Sequence, residues 1–257
     1  MTLTGVHVTR EFGAPSIRDI AVQSMRLVRF SGAAEIFWPI GMHMLLVADL
    51  MPRRVGVGPP DAPTNPWMEV YGLLHDAAEV CVGDVPRPMK TSEARTLEDR
   101  VQSRIYNALG VPEPTAAVTA AIKEADFRAA LAEGSCGCAG RGYAETQTGF
   151  RHDKVAKEAL QQYIADLAFT RHELLDANGY WPLVYESRLR AALREAQTHV
   201  SYAPVAEVSA PPALTPFGPT LDAIESLYRS QEHRPSFQAV RAVVLRALTT
   251  ASSKPLG

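Results

Sequence analysis

Cysteine is scarce. The three in 257 residues, Cys81, Cys136 and Cys138, are too few and too unevenly spaced for a secreted disulfide framework, which fits a reducing compartment. No apolar run approaches the roughly 18 residues that cross a bilayer. The opening MTLTGVHVTREFG also lacks the charged-then-apolar layout of a signal peptide, so a cytoplasmic protein with no membrane partner is expected. Excess charge of either sign is missing too: 26 Lys+Arg stand against 28 Asp+Glu, a net of −2. So balanced a chain has no basic surface for dedicated nucleic-acid binding. With 46% hydrophobic and 21% charged residues it is not a disordered composition either. Its length suffices for one large domain, or a domain with an appendage.

Strand signals are almost absent, the one β-like stretch being GVHVTREF at residues 5–12. Residues 17–29, 37–51, 66–81, 92–109, 114–132, 154–177 and 185–200 place apolar side chains at three- and four-residue steps, which predicts an all-α protein. Breakers divide these helices: a Gly/Pro-rich loop over 52–66, GDVPRP at 83–88 and GSCGCAGRGYAETQTG at 134–149. A Pro-rich segment at 203–219 precedes two short helical patterns, 220–231 and 236–250. The last of these is amphipathic with low Lys/Arg density, which suits a partner helix in a homo-oligomer better than a membrane surface. Cys136-Gly137-Cys138 has no second cysteine pair to complete a zinc site and reads as loop.

The stretch YGLLHDAAEVCVGDVPRPMK (71–90) carries the chemistry. His75 and Asp76 interrupt an apolar helix, and Glu79 follows His75 at four residues, on the same face. Burying three ionisable groups there is costly unless something pairs them, and a divalent cation is the simplest partner. Asp84 follows Gly83 in a turn stiffened by Pro86 and Pro88. A His-Asp pair alone is weak evidence, because His152-Asp153 is a second one. That pair opens a polar helix, where Asp153 suits the positive helix end, and it has Ala156 and Gln161 where the first has Glu79 and Asp84. His43 lies in the apolar FWPIGMHMLLVADL and alone would read as a core histidine. Asp126, four residues after Ile122, falls on the apolar face of VTAAIKEADFRAALAE, where an aspartate calls for a partner. Two histidines and two aspartates on three helices form a mixed nitrogen and oxygen set suited to Mn, Fe, Co, Ni or Zn.

These residues resemble the HD-domain metal-dependent phosphohydrolases, in which a His on one helix, a His-Asp pair on the next and a distant Asp share an ion. LLHDAAEVCVGDVPRPMK is similar to the HD-x-x-E-x-x-x-x-D-x-P-x-P-x-K layout of the 5′-deoxynucleotidase-like branch and of phage deoxynucleoside triphosphate triphosphohydrolases. Arg29-Phe30-Ser31-Gly32 resembles the branch's Arg-containing turn. The likeness runs from roughly residue 5 to 135 and departs at Met42 and Met44, where polar residues usually flank the first His.

The resemblance implies an all-α HD-domain bundle over 1–135, with a C-terminal helical region over 150–257 that packs on the core, covers the pocket or builds an oligomer interface. It implies that His43, His75, Asp76 and Asp126 hold a divalent transition metal (Co, Mn, Zn, Fe or Ni), with a second ion such as Mg as an option. Glu79 would orient or deprotonate water, Asp84 would position or protonate the leaving oxygen, and Arg29 and Lys90 would bind phosphate. The implied substrate is a small-molecule 2′-deoxynucleotide, foremost a dATP-like triphosphate split into nucleoside and triphosphate. Alternatives are a 5′-deoxynucleotidase acting on monophosphates, an HD-type di-iron oxygenase, and a non-catalytic HD nucleotide-binding module.

Overall fold

The computed structural model describes residues 13–52, 65–85, 89–135, 153–176 and 178–199. The expected strand-like stretch at 5–12, the Cys136/Cys138 loop and the tail patterns at 220–231 and 236–250 lie outside these residues. Among the described residues the regular structure is helical, without a strand; one isolated antiparallel bridge joins Val28 and Pro39.

Helix α1 (Ile17–Ser24) opens on a capping box in which the Ser16 hydroxyl accepts the Asp19 N–H and the Asp19 carboxylate accepts the Ser16 N–H. It stops well short of the expected residue 29. The Val28–Pro39 bridge diverts the chain, with Ile40 N–H donating to Leu27 O at 2.8 Å and Arg29 N–H to Trp38 O at 3.0 Å. Arg29 therefore begins a short 3-10 turn, Arg29–Gly32, in which Phe30 (φ 56°), Ser31 (φ 51°) and Gly32 (φ 78°) are all left-handed. Two successive non-glycine residues in that region cost free energy, which the surroundings must repay.

Helix α2 (Ile40–Leu50) buries every residue but Asp49, as expected of a segment apolar around its whole circumference. It is the central rod. Helices α3 (Met68–Leu74), α6 (Ala116–Ser135) and α7 (Lys154–Thr170) pack on it, and α8 (Tyr180–His199) lies against α1 and α3. The expected single helix over 66–81 is instead α3 followed by the short α4 (Glu79–Val82), with α5 (Ser92–Ala108) across the break. α7 ends at Thr170, before the expected 177, and passes into a 3-10 turn at Arg171–Glu173. α8 starts five residues before the expected 185. The apolar YWPLVY is drawn into the core, and Pro182 is tolerated because it falls in the first turn.

Leu160, Tyr163, Trp181, Tyr185 and Leu189 share one hydrophobic cluster with Trp38, Met42, Leu45 and Leu73, so no separate C-terminal unit is distinguished among the described residues. No helix among them is long and apolar enough to cross a membrane.

Candidate metal centre

The backbone is shaped before any ligand is placed. Gly72 on α3 faces Ala48 on α2 so closely that a Cβ on Gly72 would lie 2.6 Å from the Ala48 Cα. Only glycine permits that approach, which carries the end of α3 up to His43. Beyond Leu74 the helix tightens: Ala77, Glu79, Val80 and Cys81 donate their N–H groups three residues back instead of four. The Gln102 amide on α5 grips the break, accepting the Ala78 N–H at 3.0 Å and donating to Leu74 O at 2.8 Å. Glu79 therefore does not share a simple helix face with His75, contrary to the four-residue spacing. The break turns Asp76 in beside His75.

His43, His75 and Asp126 bring one ligand atom each to within 4.8 Å of one another and could hold a metal ion. His43 Nε2 lies 3.1 Å from an Asp126 oxygen and 3.2 Å from His75 Nε2. Asp76 adds an oxygen 3.1 Å from His75 Nε2 and 3.7 Å from His43 Nε2. The other nitrogens are occupied: His75 Nδ1–H donates to Gly72 O at 2.9 Å and His43 Nδ1–H to Glu133 Oε1 at 2.7 Å. Both imidazoles thus turn an Nε2 lone pair toward the same point, beside two carboxylates. Such a convergence of lone pairs demands a shared cation, a proton or a metal ion, and the donor set fits a divalent transition metal. With only protons to hand, His75 rises to about 9: burial would lower it, but Asp76 and Asp126 outweigh burial. Burial opposes ionising Asp76 as well, yet His75, His43 and Arg29 hold it far below the carboxylate range.

Glu133 is the functional residue that sequence reasoning missed. It is fully buried near the end of α6, accepting from His43 and, at 2.8 Å, from Trp38 Nε1–H. Its other oxygen faces Arg29 Nε at 3.3 Å, a contact of charge without hydrogen-bond geometry. The legible signal was spacing, since Glu133 follows Asp126 by two helical turns and so shares its face. It also resolves the departure at Met42 and Met44: the hydrogen bond to His43 arrives from another helix.

Arg29 is no ordinary surface charge. Its side chain is 12% exposed, its Nη1 lies 3.5 Å from Asp76 Oδ2, and its guanidinium sits 5.1 Å from the Phe30 ring centre. Burial alone would ease its deprotonation, but Glu133, Asp76, Asp126 and Glu79 hold its proton more firmly still.

Glu79 is buried, with Oε2 unpartnered and Oε1 3.7 Å from Lys90 Nζ. Burial, then the Asp76 and Asp84 charges, push its carboxyl up to about 9 against the pull of Arg29 and Lys90. Asp84 is raised as well, chiefly by burial, although Arg29 and a hydrogen bond from the Phe30 N–H favour its charged form. Lys90 is tied to Glu98 at 2.5 Å and lines a cleft of about 850 Å³ between α5 and α6. Arg95, Lys123 and Phe127 also line that cleft, together with the acidic Glu98, Asp99 and Glu124. Pro86 and Pro88 lie outside the described residues. Of the second His-Asp pair, Asp153 caps α7 through the Ala156 N–H at 3.0 Å and pairs with Arg128, while His152 is outside the described residues.

No known family profile matches the chain. It is similar to the uncharacterized protein YfdR of Escherichia coli, 26% identical over 98 residues, which are 37% of this chain and 48% of YfdR. It is also similar to an uncharacterized protein of Rhodobacter capsulatus, 31% identical over 124 residues, which are 46% of this chain and 60% of that protein. The chain thus spans about half the length of the curated relatives it matches. The described residues form an all-α fold with a His/His/Asp cluster able to hold a divalent metal, an arrangement compatible with a metal-dependent hydrolase.

Proposed function

We propose that this chain is an HD-domain metal-dependent phosphohydrolase of 2′-deoxynucleotides, acting on deoxynucleoside triphosphates to release nucleoside and triphosphate. The observation that carries the reading is the meeting of His43, His75 and Asp126 within 4.8 Å, with the Asp76 carboxylate against both imidazoles. His43, His75, Asp76 and Asp126 would hold the ion. When bound there, a divalent transition metal supplies Lewis acidity, which polarises a phosphoryl oxygen and lowers the pKa of water.

The remaining residues take their roles from position. Arg29, wedged between Glu133 and Asp76, presents a permanent planar charge for a phosphoryl oxygen. Glu79 lies next to Asp76 with one oxygen free, suited to orient water and receive its proton; an added cation nearby favours its carboxylate form over the protonated one. Asp84, with a carboxyl raised by burial, is suited to protonate the leaving oxygen. Lys90, 3.7 Å from Glu79, offers a point charge for a phosphate, while along the adjoining cleft Arg95 and Lys123 are balanced by Glu98, Asp99 and Glu124.

A matched panel of deoxynucleoside mono- and triphosphates with Mn, Co and Mg tests this. Triphosphate released from a triphosphate substrate is expected. Phosphate released from monophosphates alone would instead establish a 5′-deoxynucleotidase. No turnover on any member with metal bound would leave a nucleotide-binding module.

A further inference from the structure

We propose that Glu133 is a positioning residue that lets a divalent ion and the Arg29 guanidinium share one pocket; the inference rests on the metal reading of the site. The difficulty it resolves is electrostatic. Arg29 stays charged and approaches Asp76 Oδ2 to 3.5 Å, while the same oxygen lies 3.1 Å from His75 Nε2. One carboxylate is all that separates the guanidinium from the point where the lone pairs converge, so an incoming ion meets a like charge.

Glu133 answers at both ends. One oxygen faces Arg29 Nε at 3.3 Å and offsets its charge, while Asp76 approaches a different nitrogen, Nη1. The other takes the His43 Nδ1–H at 2.7 Å and the Trp38 Nε1–H at 2.8 Å, which fixes the His43 tautomer with Nε2 toward Asp126 and His75. Carboxylates that hold a ligand histidine in this way make the imidazole a better donor as well as a better-aimed one. A fully buried carboxylate is costly in itself, and here His43 and Arg29 jointly compensate it. Without Glu133, His43 loses its orienting acceptor, and Arg29 is left with Asp76 as the nearest anion to draw away from the ion.

The test uses the full chain, with Co²⁺ binding measured by calorimetry and ¹⁵N-histidine spectra recorded on the Zn²⁺-loaded protein. Glu133→Gln is expected to weaken Co²⁺ binding about 10- to 100-fold and to abolish the strongly hydrogen-bonded His43 Nδ1 proton signal. Adding Arg29→Gln to Glu133→Gln is expected to restore part of that affinity, a recovery that a merely structural role would not give. Co²⁺ binding by Glu133→Gln as tight as the parent's, or a double variant no tighter than the single one, overturns the proposal. Should Glu133→Gln fail to fold, Glu133→Asp is read instead: one methylene shorter, it must shift the His43 Nδ1 signal and leave that of His75 in place, and an unmoved His43 signal overturns the proposal equally. His75→Asn separates the two readings. If parent and His75→Asn alike bind no Co²⁺, the metal site itself falls; if only His75→Asn loses the ion and Glu133→Gln keeps it, the positioning role alone falls.

Discussion

Gly72 and Ala48 meet backbone to backbone, with 2.6 Å between the Ala48 Cα and the place a Cβ would occupy on Gly72. The same glycine accepts the His75 Nδ1–H through its carbonyl. One residue therefore sets both how near α3 comes to α2 and which His75 nitrogen faces the centre. Gly72→Ala is expected to force the helices apart, costing about 1–3 kcal/mol in denaturant unfolding. Co²⁺ affinity should fall with it. An alanine variant with parental stability and affinity would show that the two backbones have room to spare.

Ligation and turnover should separate. His75→Asn or Asp126→Asn is expected to lose the bound ion, since each withdraws a donor from the cluster. Glu79→Gln should keep the ion and lose about 10²- to 10⁴-fold in turnover, the usual scale for a general base. Metal content by elemental analysis beside initial rates reads both; equal metal retention in all three variants counts against the scheme.

Gln102 offers a third prediction. Its amide accepts the Ala78 N–H, which the tightened turn leaves without a helical partner, and donates to the Leu74 carbonyl, which also takes the Ala77 N–H. Gln102→Ala should cost about 1–3 kcal/mol, as expected for stranding a buried backbone N–H. Hydrogen exchange at Ala78 should accelerate more than at Leu45, in the core of α2. Uniform acceleration would mean that the amide holds the whole fold instead of the turn.

The helices were legible because their burial is periodic, and His75-Asp76 because two ionisable groups in GLLHDAAEV stand out against apolar neighbours. The break after Leu74 was not legible. Its cause, the Gln102 side chain, comes from 24 residues beyond Ala78 and bears no local mark. Glu133 was hidden for a related reason: before Gly134 it resembles an ordinary polar helix end, and only the approach of α2 and the Arg29 turn buries it. Arg29 sat at the end of an expected helix because periodicity cannot register the Val28–Pro39 bridge that diverts the chain.

Acidity gives the fourth prediction. In the metal-free protein His75 is raised from 6.5 to about 9: burial pulls it down, but the Asp76 and Asp126 carboxylates prevail. A group raised on folding stabilises fully below its ordinary value and loses that contribution as pH rises through the folded one, so the His75 share of stability fades between 6.5 and about 9. Bound metal must displace that proton, so affinity should instead climb with pH, by about tenfold per unit for one proton released. Urea melts and Co²⁺ titrations from about pH 6 to about pH 8.5 read both slopes. Flat affinity across that range would mean that no histidine proton is exchanged for the ion.

The donors to the proposed ion are unequally mounted. His43 rides on α2, whose residues are buried on every side but one, whereas His75 and Asp76 ride on a turn of three-residue hydrogen bonds held across its break by a single amide. An ion of larger or smaller radius would therefore be accommodated at one end. The rod would stay and the turn yield by as much as Gln102 allows, which would make tolerance among Mn, Co and Zn a property of a residue outside the proposed ligand set.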